Sequence, residues 1–278
     1  NLDDLSLLPA GAILPARQVW SGSPAVPTGR SEARPTPPAV SLGRRIMVTL
    51  GLMIAAPLLP LAAVLPIAPG LIALMEIDWA TTGYAHILLT PVLALIYVVS
   101  MCLLITAAKW LLLGRVRPGV YPLQSWFYIR FWFIEQLGEL ALDLVKPLYA
   151  TLYLAPWYRA LGARIGPRAE ISTASALVHD LIEVGGESFI ADGVVFGAAK
   201  AEPGAIRLER TRIGVRSFLG NSALLPTGAH VGDEVLIGVL SKPPAGDAAM
   251  ETGSTWFGSP VAAVASPMRR PSISSPPR

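Results

Sequence analysis

A helical membrane hairpin followed by a left-handed parallel β-helix is the fold class this sequence predicts, and three observations predict it. Ile213, Leu219, Leu225, Val231 and Ile237 are aliphatic and six apart, and Gly214, Gly220, Pro226, Gly232 and Gly238 follow them. A six-residue period gives small triangular coils, with one aliphatic side chain pointing inward from each flat face and small residues easing the corners. Residues 46–75 and 87–108 contain no charged residue, and each run is long enough to cross about 30 Å of hydrocarbon as a helix. Finally, 53% hydrophobic and 15% charged residues depart from a soluble domain in the direction of a membrane protein.

In chain order, residues 1–25 carry the beat first: Leu2, Leu8, Leu14 and Trp20 are six apart. Leu8-Pro9-Ala10-Gly11-Ala12 echoes Leu225-Pro226-Thr227-Gly228-Ala229, and Trp20-Ser21-Gly22-Ser23-Pro24-Ala25 echoes Trp256-Phe257-Gly258-Ser259-Pro260-Val261. These residues read as the C-terminal end of a preceding β-helix domain. Because Asn1 is no initiator methionine, the chain reads as a piece of a longer polypeptide with tandem β-helical domains. Residues 26–43, rich in Pro, Ser and Arg, read as a linker.

The hairpin is expected over 44–117. Pro57, Pro60, Pro66 and Pro69 predict that its first helix kinks or ends early. Arg44 and Arg45 precede the first run and Lys109, Arg115 and Arg117 follow the second, whereas 76–86 has acidic residues and no Lys or Arg. That asymmetry puts both ends, and with them the β-helix, on the cytoplasmic side of a multi-pass cell-membrane protein. Trp79, Tyr84 and Trp110 suit the interfaces. Residues 118–161 are aromatic and then amphipathic, with Glu135, Glu139, Asp143 and Lys146 on one stripe and Phe133, Leu137, Leu140, Leu144 and Leu148 opposite, as expected of interfacial helices. The β-helix domain spans 162–262, and residues 263–278 read as a disordered tail.

The beat fails twice. It steps by seven between Leu177 and Val184 and by seventeen between Phe196 and Ile213, so 198–212 reads as a loop or irregular coil leaving the helix. Insertions in a solenoid collect on a functional face. His179 lies inside the first gap, beside Asp180 and Glu183, where a carboxylate-oriented imidazole could take a proton from an attacking amine or hydroxyl. The competing reading is a loop histidine satisfied by Asp180. His230 reads as an outward-facing turn residue and His86 as a membrane-edge residue. Asn221 and Ser222 follow Gly220 at a corner, as oxyanion donors or as a ladder of corner residues; Glu187, Ser188 and Asp192 are candidates to line a cleft. A net charge of +3 gives no case for nucleic acid. With Cys102 as the single cysteine, no disulfide forms within the chain and no cysteine metal site is expected; no motif names a metal or nucleotide.

Glu187-Ser188-Phe189-Ile190-Ala191-Asp192, Gly220-Asn221-Ser222-Ala223, Ile237-Gly238-Val239-Leu240-Ser241 and Trp256-Phe257-Gly258-Ser259-Pro260 together resemble the terminal membrane and hexapeptide-repeat region of nonribosomal peptide synthetases of the ε-poly-lysine synthetase family. The resemblance implies LpxA-like β-helix domains in tandem, related to acyltransferases, alternating with membrane helices behind adenylation and carrier domains. It implies amide bond formation between aminoacyl units held as phosphopantetheine thioesters. It carries no catalytic residue onto His179, so that role comes from the local pattern alone. A non-catalytic membrane-anchored scaffold and a coenzyme A-dependent acetyltransferase using acetyl-CoA remain the alternative expectations.

Overall fold

The computed structural model describes residues 2–30, 38–76, 88–144, 153–172, 174–175, 178–243, 250–259 and 262–264. Trp79, Tyr84, His86, Lys146, Leu148, Leu177 and residues 265–278 of the expected tail lie outside the described residues, whereas Ala263 and Val264, expected to begin that tail, belong to a strand because their backbone pairs antiparallel with Thr255–Trp256.

Two long apolar helical stretches follow the N-terminal strands. Helix α1 (Leu42–Val64) is capped by Ser41, whose hydroxyl accepts the Arg44 N–H, which satisfies one of the donors orphaned at a helix start. It continues through Pro57 and Pro60 without ending. The distortion is deferred to a 3-10 turn at Leu65–Ile67, after which α2 (Ala68–Met75) resumes; the tightened turn restores hydrogen bonding where proline rings crowd preceding carbonyls. Helix α3 (Thr90–Leu112) packs beside them, with the Tyr97 hydroxyl donating to the Ala63 carbonyl. The stretches Leu42–Met75 and Thr90–Leu112 are both long and apolar enough to cross a membrane.

Helix α4 (Trp126–Leu144) starts where Ser125 accepts the Tyr128 N–H and lies across α1 and α3. Gly51 admits it, since a Cβ there would stand 2.6 Å from the Ile129 methyl. Short helix α5 (Leu154–Ala160) buries Leu154, Ala155, Trp157 and Tyr158, and leads directly into the coils.

The six-residue beat becomes three stacked columns. Ile165 of β4 (Arg164–Ile165), Val184 of β7 (Ile182–Val184), Ile213 of β12 (Thr211–Ile213) and Val231 of β14 (His230–Val231) are in parallel register, and a bridge extends the column to Met250. On the second face, Ile171 of β5 (Glu170–Ile171), Ile190 of β8 (Phe189–Ile190), Leu219 of β13 (Phe218–Leu219), Ile237 of β15 (Leu236–Ile237) and Trp256 of β16 (Thr255–Phe257) align likewise. The third face pairs β6 (Ala174–Ser175) with β9 (Val194–Val195), and Val195 bridges to Leu224. All the aliphatic members of the first two columns are buried, and fully burying each contributes about 1.5–3 kcal/mol. The described residues between 164 and 257 therefore form a parallel β-helix, closed by an antiparallel strand β17 (Ala262–Val264) on β16.

Both missed beats have structure. The seven-residue step is taken up by a 3-10 turn at His179–Leu181. The seventeen-residue step is not irregular: β10 (Lys200–Glu202) and β11 (Ala205–Leu208) form a hairpin, and β3 (Gly119–Pro122), just after α3, adds to it antiparallel. Local periodicity could not reveal this, because the hairpin's third strand lies far away in sequence.

Residues 2–25 form one coil that repeats the closing coil hydrogen bond by hydrogen bond. Leu2 bridges Trp20 as Ile237 pairs Trp256. Asp3 N–H donates to the Trp20 carbonyl as Gly238 N–H does to Trp256, and Leu7 N–H donates to Gly22 as Lys242 N–H does to Gly258. Ser6 accepts the Gly22 N–H as Ser241 accepts that of Gly258. The coil ends in an antiparallel pair, β1 (Gln18–Ser21) with β2 (Val26–Arg30).

Successive coils approach through glycine. A Cβ on Gly214 would meet the Gly232 carbonyl oxygen at 2.3 Å, and one on Gly185 would meet the Gly214 carbonyl carbon at 2.4 Å. Gly214→Ala is expected to destabilise the fold by about 1–3 kcal/mol through overpacking, seen as a lowered thermal midpoint in detergent. Gly43→Ala, in α1 with open space around it, should leave the midpoint unchanged or raise it.

Candidate functional site

The first missed beat brings a charged side chain inside the protein. Lys109, in the last turn of α3, and Asp180 have side chains only 4% and 2% exposed, with Nζ 2.9 Å from Oδ2 and 3.0 Å from Oδ1. Val116 N–H also donates to Oδ2 at 3.0 Å, so both carboxylate oxygens are engaged. Gly162, at φ +112°, leaves the room: a Cβ there would lie 2.3 Å from Asp180 Oδ1 and 3.2 Å from Lys109 Nζ. The ammonium also stands 3.5 Å from the Trp110 ring centroid. Trp110 donates to the Ala160 carbonyl and Trp157 to the Cys102 carbonyl and the Thr106 hydroxyl. This is a joint between α3, α5 and the first coil.

The expected trio of His179, Asp180 and Glu183 points in different directions. His179 packs edge-on to Tyr158, ring centroids 4.9 Å apart, and burial, then the Lys109 charge, push its pKa down to about 3. Asp180 is committed to Lys109 and Val116 rather than to the imidazole. Glu183 faces outward and binds Arg164, Arg210 and Arg212 at 3.0, 3.1 and 3.0 Å.

The outward side of the first face forms a groove of about 810 Å³. The residue preceding each inward aliphatic contributes to it, so Arg164, Glu183, Arg212 and the exposed His230 come from successive coils in register. Arg159, in the last turn of α5, borders it, and Gly166, Gly185, Gly214 and Gly232 line it. Several guanidiniums around one carboxylate leave a positive rim suited to an anionic group. The imidazole of His230 offers a proton acceptor at the edge. His230 had the bland expectation of a turn residue. The signal that finds it is the beat itself, read one residue ahead of the inward column.

The other sequence candidates stand elsewhere. Asn221 and Ser222 are exposed at a corner, with Ser222 at φ +56°, and their backbone groups pair with Leu240 and Asp192. Asp192 accepts the Ser172 hydroxyl. Ser188, expected at a cleft, is instead buried: it donates to the Gly214 carbonyl at 2.7 Å and accepts the Ser217 N–H at 3.0 Å. Its hydroxyl pairs the backbone between coils because that corner faces the interior. Glu187 sits at an exposed corner in a salt bridge with Arg168. Among the described residues no His, Cys, Asp and Glu cluster could hold a metal ion.

No family model matches the chain. It is similar to the Delta-poly-L-ornithine synthetase of Acinetobacter baumannii strain AB307-0294, 32% identical over 94% of this chain. The chain spans about a fifth (20%) of that protein's length. Among solved structures it is similar to a serine acetyltransferase of Neisseria gonorrhoeae (17% identity, 76% of this chain and 69% of that one, TM-score 0.37). Others are soybean serine acetyltransferase (16%, 81% and 85%, 0.34) and a maltose O-acetyltransferase from Clostridium difficile (15%, 60% and 86%, 0.35).

The Lys109–Asp180 joint predicts strong asymmetry between variants. Asp180→Asn alone strands a buried ammonium and should cost about 3–5 kcal/mol, measured by denaturant unfolding in detergent, whereas Lys109→Met with Asp180→Leu should recover most of the loss. His179 predicts a pH effect. Its folded pKa of about 3 lies below the ordinary 6.5, so the unfolded chain takes up the proton first. The stability contributed above pH 6.5 is therefore lost progressively as pH falls toward 3, and His179→Phe should flatten that part of the profile.

Proposed function

We propose that this chain is the acyltransferase-like part of a membrane-bound synthetase of the nonribosomal type that joins amino acids through amide bonds. The observation that carries the reading is the groove bordered by His230, with its glycine lining and arginine rim. The similarity to a poly-ornithine synthetase along nearly the whole chain supports the class of product. In this reading α1 to α3 form a membrane hairpin, with the basic flanks and the left-handed coils on the cytoplasmic side.

A phosphopantetheine arm from a carrier domain, or that of coenzyme A, would lie extended along the groove with its phosphate toward the arginines. An acceptor amine attacks the thioester carbonyl, a C–N bond forms as the C–S bond breaks, and the departing thiolate takes a proton. His230 accepts the proton that the amine loses. His179, partly buried beside Tyr158 and Lys109, is assigned to positioning the joint. Asn221 and Ser222 would contact an acceptor approaching past the exposed corner.

A membrane-anchored scaffold without chemistry of its own is the second reading, favoured by the commitment of Asp180 to Lys109. Full-length polypeptide with loaded carrier separates the two. His230→Ala should lower amide formation about 100-fold or more with the thermal midpoint kept. If His230→Ala and His179→Ala both retain the parental rate, the scaffold reading stands.

A further inference from the structure

The coil of residues 2–25 contacts the closing coil through side chains and backbone. Lys242 Nζ reaches Asp3 Oδ1 at 2.6 Å and Asp4 Oδ2 at 2.9 Å, with the lysine side chain 14% exposed. Next to this pair the Ser23 N–H donates to the Ser259 carbonyl at 3.0 Å, and the Ser259 hydroxyl reaches the Asp4 carbonyl. Two coils with the same internal hydrogen bonds are thus in contact through residues that differ. By the pairing that aligns Leu2 with Ile237 and Ser6 with Ser241, Asp3 corresponds to Gly238, Asp4 to Val239 and Lys242 to Leu7.

The charges are therefore not self-complementary. A copy of the closing coil offered to Lys242 would bring Gly238 and Val239, and would leave the partly buried ammonium unpaired. Such a contact is heterologous rather than isologous, and the penalty on an unpaired charge selects against the wrong neighbour. On the same turn Val239 and Leu240 are 59% and 56% exposed, an apolar ledge continuous with the polar contact.

We infer that residues 2–25 are the closing coil of a second β-helix unit docked beside this one, with Lys242 and the Asp3–Asp4 pair as the latch that admits this neighbour and rejects a copy of the closing coil. Joined through one polypeptide, the units meet at high effective concentration, so a small latch suffices to choose the partner. The inference concerns assembly and does not rest on the transferase reading.

The test uses the full-length polypeptide in membranes. Ser23→Cys with Ser259→Cys should yield, on mild oxidation, a disulfide-linked peptide pair joining these two positions by mass spectrometry. Lys242→Glu should abolish it, and Lys242→Glu combined with Asp3→Lys and Asp4→Lys should restore it. Lys242→Glu should leave the thermal midpoint of the β-helix in place. Cross-linking that survives Lys242→Glu, or failure of the charge swap to restore it, would overturn the inference.

Discussion

The buried contact between Lys109 and Asp180 is the constraint on which the rest of the arrangement depends. Removing two charges from water costs several kcal/mol per ion, and only close geometry with further hydrogen bonds offsets that. The end of α3, the 3-10 turn at His179–Leu181, the Val116 amide and the side-chain-free Gly162 must therefore be placed together within tenths of an ångström. Apolar packing alone would tolerate a sliding or rotating β-helix, since it is non-directional. The ion pair supplies direction. It fixes which face of the first coil abuts α3, and therefore where the groove stands relative to the apolar helices.

A solenoid has a second constraint, because each coil touches only its neighbours and both ends must be covered. At the first coil the cover is helical. Met101 and Ile105 of α3, Leu137 of α4 and Leu154, Trp157 and Tyr158 of α5 form one buried cluster with Ile165 and Ile171. The column core is thus continuous with the helical part rather than separated from it by a flexible linker. At the other end Trp256 lies in the second column, partly buried, and β17 adds to β16 antiparallel, which stops parallel coil addition on that face. The β3 strand binds the two parts again through β11, so the exit from α3 is held by an ion pair on one side and a backbone ladder on the other.

Much of this was legible in the sequence, for physical reasons that can be named residue by residue. Inward positions such as Ile190, Leu219 and Ile237 repeat because every coil buries the same three faces, and the apolar helices are visible because they lack charge over a long span. The three-stranded sheet was hidden, since Gly119–Pro122 and Ala205–Leu208 carry no pattern that links them; their pairing depends on where the joint brings α3. The persistence of α1 through Pro57 and Pro60 was equally hidden. Proline weakens a helix locally, but whether it ends there depends on packing against Tyr97 and its neighbours.

Adjacency in sequence misled most at His179, Asp180 and Glu183. A 3-10 turn running into a strand turns successive side chains through large angles, so three neighbours that look like one site face an aromatic ring, a buried ammonium and a cluster of arginines on the outer face. Register does the opposite. Arg164, Glu183, Arg212 and His230 come from separate coils, yet parallel pairing sets each rung about 4.8 Å from the next and aims all of them outward from one face. In a β-helix the unit that can assemble chemistry is the column across coils. The missed beats act on the columns indirectly: the 3-10 turn and the hairpin change the path between coils while leaving Val184 and Ile213 in register, so an insertion can anchor the domain without disturbing the row of side chains along its flank.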